Sequence, residues 1–98
     1  MAIELVAEPR TELGKEKMKK LRAANRLPAN IYGGTLKEPR AITLDLHQTD
    51  LLVRQHGRGA EYAIVLEGQT YPVQIKEITA EPIYKQLQHI DFLVRGNG

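Results

Sequence analysis

Cysteine is absent from the chain, which removes disulfide frameworks, thiolate nucleophiles, iron–sulfur clusters and Cys-ligated zinc together. No window approaches the roughly 18 consecutive apolar residues that span a bilayer. The start, Met1-Ala2-Ile3-Glu4, also lacks a basic segment followed by an apolar run. A soluble cytoplasmic protein with no membrane partner is the expectation. There is no Gly-x-Ser-x-Gly elbow, and Gly33-Gly34 lacks the Lys-Ser/Thr of a phosphate loop, so it reads as a turn. Repeats, linkers and low-complexity tracts are missing too. At 98 residues, 42% of them hydrophobic, the chain is expected to form a single domain over residues 1–98 with one compact core. Nothing in it calls for a cofactor.

A net charge of +2, from 14 Lys+Arg against 12 Asp+Glu, is too small to announce a nucleic-acid partner by itself. Its distribution says more. The seventeen residues from Arg10 to Arg26 hold seven basic side chains (Arg10, Lys15, Lys17, Lys19, Lys20, Arg22, Arg26) and only Glu12 and Glu16 in opposition. The rest of the chain holds seven basic and ten acidic residues. Attraction of a polyanion needs several cations on one surface, which this polarisation supplies. The plainer reading is a lysine-rich, solvated helix face.

Ile3, Leu5 and Ala7 alternate with Glu4, Val6 and Glu8, the period of two of a half-buried strand that Pro9 ends. From Gly14 to Asn25 the residues are good helix formers, and Pro28 closes that segment. A short strand then runs from Leu27 through Ile31 and Tyr32 into the Gly33-Gly34 turn. Ile42, Leu44 and Leu46 mark another strand, followed by a short helix around Leu51-Leu52-Val53, capped by Thr49 or Asp50 and ended by Gly57 and Gly59. Residues 62–66 and 71–78 flank Glu67-Gly68-Gln69-Thr70 as a hairpin. Leu87 to Val94 gives the last strand, with Gly96-Asn97-Gly98 a frayed end. Six short strands with two helical insertions do not follow strand–helix alternation. The expected fold is α+β and mainly antiparallel, a small closed six-stranded β-barrel with two short helices.

On a helical wheel Lys15, Lys19, Arg22 and Arg26 fall within an arc of about 60°, a ladder some 16 Å long suited to successive phosphates. Met18 and Leu21 lie on the adjoining flank. Like charges at Lys15/Lys19 and Arg22/Arg26 repel, which an unpartnered helix avoids by interleaving signs. In the last strand His89 and Asp91 project from one face, two positions apart. They read as a catalytic pair without a nucleophile, as metal ligands if His47 or His56 converges on them, or as a polar pair that reads base edges and ribose hydroxyls. An ordinary surface pair is the fourth reading. Tyr32 is either a core-rim residue or a ring exposed to RNA.

The run Leu13-Gly14-Lys15, then Lys20-Leu21-Arg22-Ala23-Ala24-Asn25-Arg26-Leu27-Pro28-Ala29-Asn30-Ile31-Tyr32-Gly33-Gly34, and the terminal Leu87-Gln88-His89-Ile90-Asp91-Phe92 resemble bacterial large-subunit ribosomal protein number twenty-five. This is the Ctc-like family that binds 5S ribosomal RNA. The resemblance covers nearly the whole chain. It implies a small antiparallel barrel, membership of the large ribosomal subunit and an irregular internal loop of 5S RNA as target, approached through a minor groove. By position in the motifs the family's RNA-contacting roles fall on Arg10, Lys15, Lys19, Lys20, Arg22, Tyr32, His89 and Asp91. Arg26 joins them from the wheel, and Gln74 and Lys76 as neighbours on the barrel face. The chain departs from the family in having Lys19-Lys20 where an Arg pair is common and Thr79-Ala80-Glu81-Pro82 where Gln and basic residues are common. It resembles the short, single-domain form, expected to be a monomer when free and no enzyme. One rival reading is a tRNA-contacting module resembling the anticodon-binding barrel of a glutaminyl-tRNA synthetase. Another is a small hydrolase using His89 and Asp91.

Overall fold

The computed structural model describes residues 2–10, 15–34, 36–83 and 85–95, with backbone alone for 15–18. Six strands and two helices follow in the order β1 (Ile3–Pro9), α1 (Lys15–Ala23), β2 (Arg26–Tyr32), β3 (Arg40–Asp45), α2 (Leu46–His56), β4 (Tyr62–Leu66), β5 (Gln69–Ala80) and β6 (Leu87–Val94). The strands close a barrel in the order β1-β3-β2-β6-β5-β4. Four of its pairings are antiparallel, and β1–β4 and β2–β6 are parallel. Closure leaves no open sheet edge along the paired stretches.

The alternation read in the sequence sets the inside. Leu5 and Ala7 of β1, Ile42 and Leu44 of β3, Ile64 and Leu66 of β4, and Ile90, Phe92 and Val94 of β6 are all buried in one cluster. Phe92 is the only phenylalanine in the chain and is fully enclosed. Tyr62 is enclosed too, and its hydroxyl is satisfied by donating to the Gly57 carbonyl at 2.7 Å, as a buried polar tip must be.

Helix α1 ends at Ala23, before the expected end at Asn25, while Gly14 lies outside the described residues. Asn25 takes the left-handed conformation (φ 64), which asparagine tolerates better than most residues, and the chain reverses there. Its backbone and side-chain oxygens accept from the Leu46 and His47 amides at 2.9 and 3.0 Å, so the end of α1 is tied to the start of α2. Arg26 therefore opens β2 and does not continue the helical ladder. Pro28 lies inside β2 and does not merely close the helix. Its missing N–H is tolerated because β6 pairs with β2 only from Ala29 onward.

The cap of α2 is Asp45, whose side chain accepts from the Gln48 amide at 2.8 Å, and not Thr49 or Asp50. Leu46 is the first helical residue, not the third inward residue of a strand. Leu46, Thr49 and Val53 continue at helical spacing against the core, and that spacing wins over the period of two. Gly57 ends the helix at positive φ, its amide donating to the Val53 carbonyl at 2.8 Å. The β4–β5 loop is two residues, Glu67 and Gly68, both at positive φ, the geometry whose twist matches its flanking strands. Gly33-Gly34 is the turn expected. A Cβ on Gly34 would lie 2.5 Å from Val94 Cγ1, so the turn also needs glycine for close approach to β6.

Candidate nucleic-acid interface

Outward side chains of β2, β6 and β5 meet in rows across the parallel and antiparallel pairings. Asn30 stands beside Asp91, which stands beside Glu77; the next row is Tyr32, Leu93 and Gln74, and Thr79 adjoins His89 on the other side. His89 and Asp91 share a face as their spacing requires, with Nδ1 and Oδ1 3.5 Å apart. Lys76 is exposed at a bulge between Ile75 and Glu77, a device that re-aims side chains at sheet margins.

Arg10 anchors this face from the far side. Its amide donates to the Ala41 carbonyl at 2.9 Å and extends the β1–β3 pairing. Its guanidinium donates to Asn30 Oδ1 at 3.2 Å, and Asn30 Nδ2 donates to Asp91 Oδ1 at 3.5 Å. A polar chain thus runs Arg10–Asn30–Asp91–His89 across three strands. Arg10 is 9% exposed, and its Nε and Nη1 are buried without a hydrogen-bond partner among the described residues. Burial accordingly draws its pKa down. Burial also pulls the His89 pKa below the ordinary histidine value and Arg10 adds to this, against the opposing pull of Asp91 and Glu77. The downward shift favours the neutral imidazole, in which one ring nitrogen donates and the other accepts.

Helix α1 reaches this face through Arg22, which donates to the Gln88 carbonyl at 3.5 Å, just before His89. The helix lies against β2, and Arg22 is the cation of α1 that the structure brings to the polar strand face. Lys19 and Lys20 are exposed on α1. The side chains of Lys15 and Met18 lie outside the described residues, as do Glu12 and Gly14. Arg26, off the helix, donates to the Thr43 carbonyl and Oγ1 at 3.2 and 3.0 Å and sits 3.9 Å from Glu8. Its charge is thereby drawn toward the barrel wall. Tyr32 is half-buried at the end of β2, and Gln74 is exposed in its row.

A sequence model of the ribosomal L25p family matches residues 5–92. The chain belongs to that family. It is 37% identical over 93% of its length to the large ribosomal subunit protein bL25 of Bifidobacterium longum subsp. infantis, of which it spans 42%. It is 37% identical over 96% of its length to the protein of the same name from Leifsonia xyli subsp. xyli, spanning 46% of it. With the bL25 of Alkalilimnicola ehrlichii the figures are 38% identity, 91% of this chain and 42% of the relative. The chain thus spans less than half the length of these curated relatives. Among the described residues no three His, Asp or Glu side chains converge to hold a metal ion, and His47 and His56 lie at opposite ends of α2.

Two members of this face escaped the sequence reading. Asn30 was visible only as part of a motif, yet it is the hinge of the polar chain, and its outward place between Pro28 and Tyr32 was the available signal. Glu77 sets a second carboxylate beside Asp91. With two acids in its central row, the strand face disfavours phosphates and offers donors and acceptors of the kind that pair with base edges and hydroxyls.

Proposed function

We propose that this protein is a structural constituent of the large ribosomal subunit in the cytoplasm, without enzymatic activity, and that it binds 5S ribosomal RNA at an irregular internal loop. Lys15, Lys19, Lys20 and Arg22 of α1 hold phosphates and fix the register, with Arg26 a lesser contributor because it is already engaged. Arg10, Tyr32, Gln74, Lys76, His89 and Asp91 present donors and acceptors to the wide, shallow minor groove of an RNA helix. The observation that supports this reading most is the hydrogen bond from Arg22 of α1 to the Gln88 carbonyl, which sets the cationic helix beside the polar chain Arg10–Asn30–Asp91–His89.

Filter binding of purified protein to 5S RNA over a salt series tests the proposal. The expected result is saturable binding whose affinity falls steeply with salt, displaced by unlabelled 5S RNA and not by an equal amount of tRNA. Absence of binding at low salt, or displacement by tRNA as effective as by 5S RNA, overturns it.

A further inference from the structure

A second cluster of guanidinium groups lies away from α1, where β4 begins. The β4–β5 pairing starts at Tyr62↔Val73, so Gln74 and Ile75 run past the first residue of β4. The chain before β4 stands off from them and leaves a cleft of about 330 Å³, lined by Arg58, Gly59, Glu61, Gln74 and Arg95 among others. The loop is held in place from below by the Tyr62 hydroxyl on the Gly57 carbonyl at 2.7 Å. Arg95 is fixed at the other wall, its amide donating to the Pro72 carbonyl at 2.7 Å and its Nη1 lying 3.3 Å from Glu61 Oε1. Arg58 is exposed and has neither a hydrogen bond nor an ion pair among the described residues. Two cations and one carboxylate line the opening, and Gly59 leaves its side clear, with no atom within 4 Å of where a Cβ would stand.

Gln74 belongs both to this cleft and to the outer row Tyr32–Leu93–Gln74. The cleft therefore adjoins the end of the polar strand face farthest from His89. We infer that Arg58 and Arg95 form a second phosphate-binding site, which takes a phosphodiester of the same RNA whose groove faces β6. This rests on the RNA-binding reading and extends its footprint beyond α1. Forked guanidinium donors in a recess suit a phosphate group, whereas the acid-bearing row between the two cation clusters does not. The two clusters then clamp the backbone on either side of the row that meets the groove.

The test is the salt dependence of 5S RNA binding for wild type, Arg58→Gln, Arg95→Gln, the double variant and Glu61→Gln. Each lost phosphate contact lowers the slope of log K against log salt by about 0.7–0.9, so R58Q should shed roughly that amount and weaken binding several-fold at low salt, with an unchanged melting temperature. E61Q breaks the same ion pair as R95Q without removing a cation, and should bind at least as tightly as wild type. The inference is overturned if the double variant keeps the wild-type slope and affinity, or if E61Q loses as much as R95Q, which would make the ion pair a structural prop. Wild-type protein that fails to bind 5S RNA sinks the underlying reading instead, so the two failures are distinguishable.

Discussion

Arg10 buries two guanidinium nitrogens, Nε and Nη1, that have no acceptor among the described residues, so replacing it by methionine removes a desolvated charge and keeps much of the packed stem. R10M should melt at or above the wild-type temperature while its 5S RNA affinity drops at least about tenfold, the loss of one charge-assisted contact. A variant destabilised by more than about 1 kcal/mol would show that the guanidinium is a structural group. His89 gives a pH signature of its own. Its pKa in the folded chain is below 6.5 because of burial and Arg10, with Asp91 and Glu77 opposing. As pH falls through 6.5 the unfolded state takes up a proton that the native state refuses, so stability declines below that pH until the folded group titrates. Urea midpoints at pH 7.0 and 5.5 should fall more for wild type than for His89→Gln; an equal fall in both would refute the assignment.

At the scale of elements, strands whose inner faces alternate strictly were legible, because burial of every second residue writes itself into the sequence. Ile3–Leu5–Ala7 and Ile90–Phe92–Val94 are such cases, and the shared face of His89 and Asp91 follows from the same period. What failed was chosen by contacts remote in sequence. Arg26 looks helical by spacing, but Asn25 bonds to the α2 start and turns the chain first. Leu46 fits a strand until Asp45 caps the helix behind it. The parallel β2–β6 pairing sets Asn30 beside Asp91 across 61 positions, and no local pattern encodes that. The Asp45 junction is therefore the testable joint between elements. Its carboxyl is held below the usual value of 3.8, chiefly by the Gln48 amide and further by Asn25, Arg26 and His47, against a smaller cost of burial. Asp45→Ala should cost about 1 kcal/mol at pH 7, a melting shift of about 4–8 °C. Because the folded pKa is depressed, the stabilisation is present above pH 3.8 and is lost as pH falls through the folded value. The gap between wild type and D45A should narrow in that range, and calorimetry showing a constant gap would contradict the capping role.

At the scale of the whole molecule the proposed binding mode divides labour between two kinds of contact, and the division makes a prediction that neither element makes alone. Arg22 belongs to the cationic helix and bonds to β6 at the Gln88 carbonyl. Asp91 sits inside the polar chain, next to His89 and Asn30, and as an anion it gains nothing from phosphate. Charge reversal at Arg22 should therefore weaken binding to 5S RNA and to random duplex RNA alike, and lower the salt slope on both. Asp91→Ala should leave the salt slope intact and weaken the cognate loop alone, by about 1–3 kcal/mol if one specific base or hydroxyl contact is lost, roughly tenfold or more in Kd. Circular dichroism checks that both variants keep the barrel, since Asp91 lies outside the core cluster. Parallel titrations on the two RNAs separate the effects cleanly: equal losses for Asp91→Ala on both would mean that the strand face only positions the protein, and that specificity resides in the shape of the RNA between the cations.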